Sequence, residues 1–227
     1  MALANYTGLK AAIQSWSTLT GSAYTGVVDD IIGLCESRIF YGDDELGCDP
    51  LRVRAMESST DITVDGQEEA LPTGFLESRR LFLNTSKKED LPYYPPDRFW
   101  QSQAASNNST GQPVLYTIEG ENLVFAPSPD ATYVAKMLSY NKLTGLSDNN
   151  PTNWIITNTP QVYLYGCLLE QAIFDKNDQD IVKHGALFKG AINAINRQDK
   201  KAKHSGSVLT QKPDVSAPHL GAPRYRH

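Results

Sequence analysis

The stretch "TNWIITNTPQVYLYGCLLEQAIF", residues 152–174, carries one charged side chain, Glu170. From Val162 to Leu169 nothing is more polar than a tyrosine hydroxyl or a thiol. The run is too short and too interrupted to meet the roughly 20 apolar residues that span a bilayer. Pro160 fits the first turn of a helix, where its missing N–H is not needed. The pattern therefore predicts a helix over 160–176, preceded by a short turn or helix over 151–157. A helix that is apolar nearly all round must be covered on several sides. Val162, Tyr165, Leu169 and Ala172 lie along one side, Leu164, Cys167 and Leu168 along another, and Gly166 lets another backbone come close. Four predicted helices cover one side, and an inserted β block or a neighbouring copy covers the remainder; the second places Trp154, Tyr163, Tyr165, Leu168 and Leu169 at a packing interface between copies. The other reading is the central helix of a monomeric bundle.

Outward from this helix, periodicity assigns the remainder. Leu9, Ala12, Ile13 and Trp16 recur at i, i+3, i+4, i+7 and predict a helix over 6–18. Gly21 and Ser22 break it, and Thr25 is placed to cap a second helix with Val28, Ile31, Ile32, Cys35 and Ile39 on one side. From about residue 50 the period shortens toward two. "LRVRAMESSTDITVDG", "FLESRRLFLN" and a hairpin around Gly120 followed by a third strand read as β-structure. Between them, a short helix is expected after Pro96, then an exposed loop rich in Asn, Ser and Gly. A last helix is expected over 179–198, with Ile181, Leu187, Phe188, Ala191, Ile192 and Ile195 inward and Lys183, Lys189, Asn193 and Arg197 outward. The fold class is α+β: a helical bundle core of two N-terminal and two C-terminal long helices, an inserted antiparallel β-rich domain, and an extended C-terminal tail. The expected boundaries are 1–48, 49–145, 146–203 and 204–227.

The 227 residues are 40% hydrophobic and 21% charged, enough for a packed core and against wholesale disorder. The three cysteines, Cys35, Cys48 and Cys167, form no C-x-x-C pair and read as reduced and buried. The N-terminal stretch has no basic region followed by an apolar block, so no secretory signal is expected. Charge is uneven. Residues 1–182 hold 12 Lys and Arg against 24 Asp and Glu, whereas residues 183–227 hold 9 against 2. An acidic body with a basic end suggests a contact at the tail; a helix end with dipole-matching lysines followed by a solvated tail is the plainer account.

Sequence signs of catalysis are sparse. All four histidines lie at or beyond His184, and His184 alone falls within a predicted helix. No nucleophile elbow, phosphate loop or dinucleotide fingerprint occurs. "DKNDQDIVKHGA" resembles a calcium loop only superficially, with Asp180 at the sixth position and Ala186 at the twelfth. No cofactor, metal or catalytic residue is expected. The folded part is acidic, which argues against a basic stripe that grips nucleic acid.

The run "MLSYNKLTGLSDNNPTNWIITNTPQVYLYGCLLEQAIF" resembles the head-to-tail adaptor (connector) proteins of short-tailed bacteriophages. The shared pattern is Tyr140 and Lys142, Leu146-Ser147, Asn153-Trp154, Pro160, and Leu164-Tyr165-Gly166. "YTGLKAAIQSW", "VVDDIIGLCESRIF" and "RVRAMESSTDITVDGQEEALPTGFLESRRLFLN" also fit. The resemblance implies a virion neck protein made in the host cytoplasm, with no enzymatic activity. It implies a homo-oligomeric ring, commonly of twelve, beneath the portal protein. Genomic DNA passes through its channel without sequence-specific binding, and a tail nozzle, tube or fibre-attachment protein docks below. No membrane is involved. The C-terminal extension commonly reaches the portal, which assigns Lys200, Lys201, Lys203, Lys212, Arg224, Tyr225 and Arg226 to that contact. A tail-tube or stopper subunit is an alternative, and a tail-borne cell-envelope hydrolase a more distant one.

Overall fold

The computed structural model describes residues 3–16 and 21–204. It is a mixed α+β structure. Two helices, α1 (Tyr6–Trp16) and α2 (Gly21–Tyr41), precede a β block with strands β1 (Glu57–Val64), β2 (Glu68–Ala70), β3 (Phe75–Leu83), β4 (Leu115–Glu119), β5 (Asn122–Ala126) and β6 (Tyr133–Asn141). Helix α3 (Pro96–Ala105) lies between β3 and β4. The chain then returns to helix with α4 (Trp154–Asn158), α5 (Pro160–Phe174) and α6 (Asp178–His204). No helix among the described residues is long and apolar enough to cross a membrane.

Helix α5 is the one predicted from the apolar stretch, and its own chain covers it. It packs against α6, α2, α4 and α1. Val162, Tyr163, Leu164, Cys167, Leu168 and Leu169 are all buried within one copy. The expectation that neighbouring copies are needed to keep Tyr163, Leu168 and Leu169 dry is therefore corrected; the partners are residues such as Ile32, Cys35, Phe188 and Ala12. Gly166 does permit a close approach, but of side chains: a Cβ there would lie 2.4 Å from Cys35 Sγ and 3.0 Å from the Phe188 ring.

The β block is two three-stranded antiparallel sheets, ordered β1-β6-β3 and β2-β5-β4. In the first, β6 is central, paired with β1 from Glu57↔Tyr140 to Val64↔Tyr133. The hairpin at Gly120 closes with Glu119 opposite Asn122, and Gly120 takes φ +60°, as a two-residue hairpin turn requires. Strand β5 shows why "LVFA" is apolar without alternation. Leu123 and Phe125 face a core shared with Ile62, Leu81 and Met137 of the other sheet, while Val124 and Ala126 face Phe99 of α3. Successive side chains point to opposite faces, so a strand buried on both needs apolar residues throughout.

Three local expectations change. Helix α2 begins at Gly21, so Thr25 lies inside it rather than at its cap. Leu187, expected inward on α6, is exposed. Lys189, expected outward, is half-buried and donates from Nζ to the Leu46 carbonyl at 2.9 Å. All three cysteines are free and buried, as expected.

Candidate functional site

Of the residues singled out from the apolar stretch, Tyr163 enters a hydrogen-bonded junction with Asn153 and Glu36, while Trp154, Tyr165, Leu168 and Leu169 do not. Asn153 caps α4 by accepting from the Ile156 amide at 3.0 Å. Its Nδ2 donates to the Tyr163 hydroxyl at 2.7 Å, and that hydroxyl donates to Glu36 Oε1 at 2.8 Å. Glu36 Oε1 also accepts from the Leu146 amide at 2.7 Å. Burial, and then the Glu36 carboxylate, push the Tyr163 phenol far above the usual tyrosine range, so it stays a neutral donor. Leu146, Asn153 and Tyr163 thus tie the loop after the β block to α2 and α5. Trp154 and Tyr165 are half-buried against the same core.

A second buried junction escaped sequence reasoning. Glu170, 7% exposed, accepts from Arg38 Nε at 2.6 Å, and the same guanidinium pairs with Asp43. The available signal was the lone carboxylate in an apolar helix, because buried charge is rarely left unpaired. Around this pair Leu34, 57% exposed, and Tyr41, 63% exposed, line a shallow cavity of about 330 Å³ on α2. Phe174, at the end of α5, is 56% exposed. Ile173 of α5 and Trp16 at the end of α1 are exposed as well.

The basic residues separate into three groups. Lys200 and Lys201 are exposed on α6. Lys203 is captive: Nζ donates to the Tyr140 hydroxyl at 2.7 Å and pairs with Glu57 at 2.9 Å and Asp199 at 3.0 Å. Burial lowers its pKa, but Tyr140, Glu57 and Asp199 outweigh that and hold it above an ordinary lysine. Lys203 therefore staples the end of α6 to β1 and β6 and is corrected as a free partner-binding residue. Lys212, Arg224, Tyr225 and Arg226 lie outside the described residues.

Among the described residues no group of three or more His, Cys, Asp and Glu is placed to hold a metal ion. His184, the one helical histidine weighed for catalysis, is half-buried, and its pKa is lowered by burial and by Lys183 against the opposing pull of Asp180. Its surroundings are Gln171, Asp175, Asp180 and Trp16, with no hydroxyl or thiol nucleophile among them.

The family model described as SU10 adaptor protein matches residues 4–211. No curated protein matches the chain.

Proposed function

We propose, from the premise that this chain belongs to the SU10 adaptor family of phage head-to-tail adaptor proteins, that it works as a non-enzymatic ring of twelve copies beneath the portal. The ring extends the DNA channel and presents the platform on which the next tail component docks. The observation that carries this reading is the family match across nearly the whole chain, residues 4–211. The physics of the chain is consistent with it. Residues 1–182 carry twice as many acids as bases, and unneutralised like charge keeps phosphates from sticking to a channel wall. Rings use head-to-tail, heterologous contacts that need two unlike patches on each copy.

As parts of those patches we select Leu34 and Tyr41, exposed on α2, and, elsewhere on the surface, the half-buried Trp154 and Tyr165. Tyr163, Leu168 and Leu169 support them from within. Lys200 and Lys201, with the segment that carries Lys212, Arg224, Tyr225 and Arg226, contact the portal; Lys203 anchors the helix from which that segment departs. The test mixes the purified chain with portal rings and reads co-sedimentation and electron micrographs. Stacked rings with twelve adaptor copies are expected for the full chain, and loss of joining, with folding intact, for a chain ending at Lys203. Normal joining by the shortened chain overturns the portal role of the tail. No stacking by the full chain overturns the adaptor ring itself and favours a tube or stopper subunit.

A further inference from the structure

Among the described residues, the edges of the two sheets are β1, β3, β2 and β4, and β1 differs from the rest. Residues 89–91 run beside β3: the Leu83 amide donates to the Glu89 carbonyl and the Leu91 amide to the Leu81 carbonyl, both at 2.9 Å. Residues 92–94 run beside β4, where the Tyr94 amide donates to the Tyr116 carbonyl at 2.9 Å. Strand β2 is only three residues long. Strand β1 has eight residues, no proline, and β6 as its one strand neighbour. Its register with β6 runs without a shift, whereas that of β3 with β6 shifts twice. Bulges, prolines, covering loops and shortness are the devices that keep a sheet edge from pairing further, and β1 has none of them.

The pairing of β6 shows which groups of β1 are left over. The Val134 carbonyl accepts from the Asn84 amide, and the Lys142 amide donates to the Gly74 carbonyl, both at 2.7 Å and both on the β3 side. Backbone groups alternate sides along an antiparallel strand, so Val134, Lys136 and Leu138 turn toward β3, and Ala135, Met137 and Ser139 toward β1. The partners of these last three are Ile62, Thr60 and Ser58. Ser59, Asp61 and Thr63 therefore direct their N–H and C=O groups to the open edge. None of these backbone groups has a hydrogen-bond partner among the described residues. Such a row takes an added extended segment, held by main-chain hydrogen bonds.

Where α6 ends selects the segment. Lys203 Nζ lies 2.9 Å from Glu57, the first residue of β1, and Asp199 pairs with Arg54 just before it at 3.4 Å. The chain thus leaves α6 at the head of the open edge, with residues 205–227 still to follow. Val208-Leu209-Thr210 is the nearest run of apolar and β-branched residues, the types that suit a strand. Pro213 lacks the amide donor that would carry a ladder past it. At roughly 3.3 Å per residue, the four residues from Ser207 to Thr210 extend about 13 Å, enough to pass Ser59 and Asp61. We propose that the open edge of β1 is the docking site of this chain's own residues 207–210, laid parallel to β1 from its Glu57 end. The pairing does not depend on the ring or the portal. It leaves Lys212, Arg224, Tyr225 and Arg226 beyond the docked stretch, free for the contact proposed above.

Amide hydrogen exchange of the full chain, read residue by residue, tests this. The Ser59 and Asp61 amides should exchange roughly tenfold or more slowly in the wild type than in Val208→Pro/Leu209→Pro. The paired substitutions remove a donor whichever of the two residues faces β1. Thr60, whose amide is already bonded to β6, should exchange alike in both proteins and reports that the sheet is intact. Ser216→Pro, beyond Pro213, should leave Ser59 and Asp61 as slow as in the wild type. Equally fast exchange of Ser59 and Asp61 in the wild type and the double variant overturns the docking, as does loss of their protection in Ser216→Pro alone. Protection that survives tenfold dilution supports pairing within one copy; protection lost on dilution overturns it and gives the edge to a neighbour's segment.

Discussion

A methyl group at Gly166 probes whether α2, α5 and α6 truly close on one another within a single copy. The added Cβ would lie 2.4 Å from Cys35 Sγ and 3.0 Å from the Phe188 ring, and both neighbours are fully buried. Overpacking a dense core costs about 1–3 kcal/mol. Replacing glycine by alanine inside a helix returns about 1 kcal/mol. The sulfur contact is closer than real Cβ atoms allow, so the cost falls at the upper end and Gly166→Ala should lose about 1–2 kcal/mol net. For a chain of this size that is about 2–8 °C in Tm. Cys35→Ala removes the offending sulfur and should cost about 1 kcal/mol alone, like the loss of one buried methyl. In the double variant the new methyl takes the sulfur's place, so its stability should match or exceed that of Cys35→Ala, a favourable coupling of at least about 1 kcal/mol. Urea unfolding of the free chain, followed by circular dichroism, measures all four proteins. Gly166→Ala at or above wild-type stability, or strictly additive effects, would refute the three-helix junction.

Two further outcomes follow from the charged junctions. Arg38→Met leaves the Glu170 carboxylate, 6% exposed, and that of Asp43, 11% exposed, without their guanidinium; a loss of about 3–5 kcal/mol is expected, part of it regained in Arg38→Met/Glu170→Leu, where Asp43 stays unpaired, and equal losses in both would count against the pairing with Glu170. Asp199 supplies a pH signature. Burial raises its carboxyl pKa, but Lys203 and Arg54 outweigh that and bring it below the ordinary 3.8. A depressed folded pKa gives stabilisation that is complete above the unfolded value and lost as pH falls through the folded one. From about pH 5 to about pH 2 the wild-type urea midpoint should therefore fall further than that of Asp199→Asn; parallel curves would remove Asp199 from the acid response.

The elements were legible because their signals are local. Apolar spacing over a few turns marks α1, α5 and α6, and strand patterning with Gly120 marks the β4–β5 hairpin. The junctions were not legible, because their partners are far apart in the chain. Tyr163 finds Glu36 across 127 positions, and Arg38 finds Glu170 across 132. No period links such pairs; only the closed fold does. Lys203 shows the same limit. Its i, i+4 partner Asp199 was visible in the sequence, but Tyr140 and Glu57, which make it a staple, come from strands some 63 and more positions away. The apolar density of α5 demands cover, and for Tyr163, Leu168 and Leu169 the same copy supplies it. Pattern reports how much apolar surface a helix carries, not whose surface meets it.

For the proposed ring, that correction changes what an assembling copy must offer. With Tyr163, Leu168 and Leu169 already dry, association has to use surface that the free chain tolerates in water. Leu34, Arg38 and Tyr41 stand at i, i+4 and i+7 on α2, one stripe of a helix face. Arg38 sits in its middle, yet its guanidinium is already engaged by Glu170 and Asp43. A partner laid over Leu34 and Tyr41 therefore gains apolar burial without having to supply a counter-charge, and without stranding an ion. An unpaired arginine at that position would oppose the same contact, because removing a bare charge from water costs more than two flanking apolar side chains return. In the proposed ring, the buried ion cluster that holds α2 to α5 would thus also condition the outer face of α2 for contact, so that folding of one copy would prepare the surface on which the next rests.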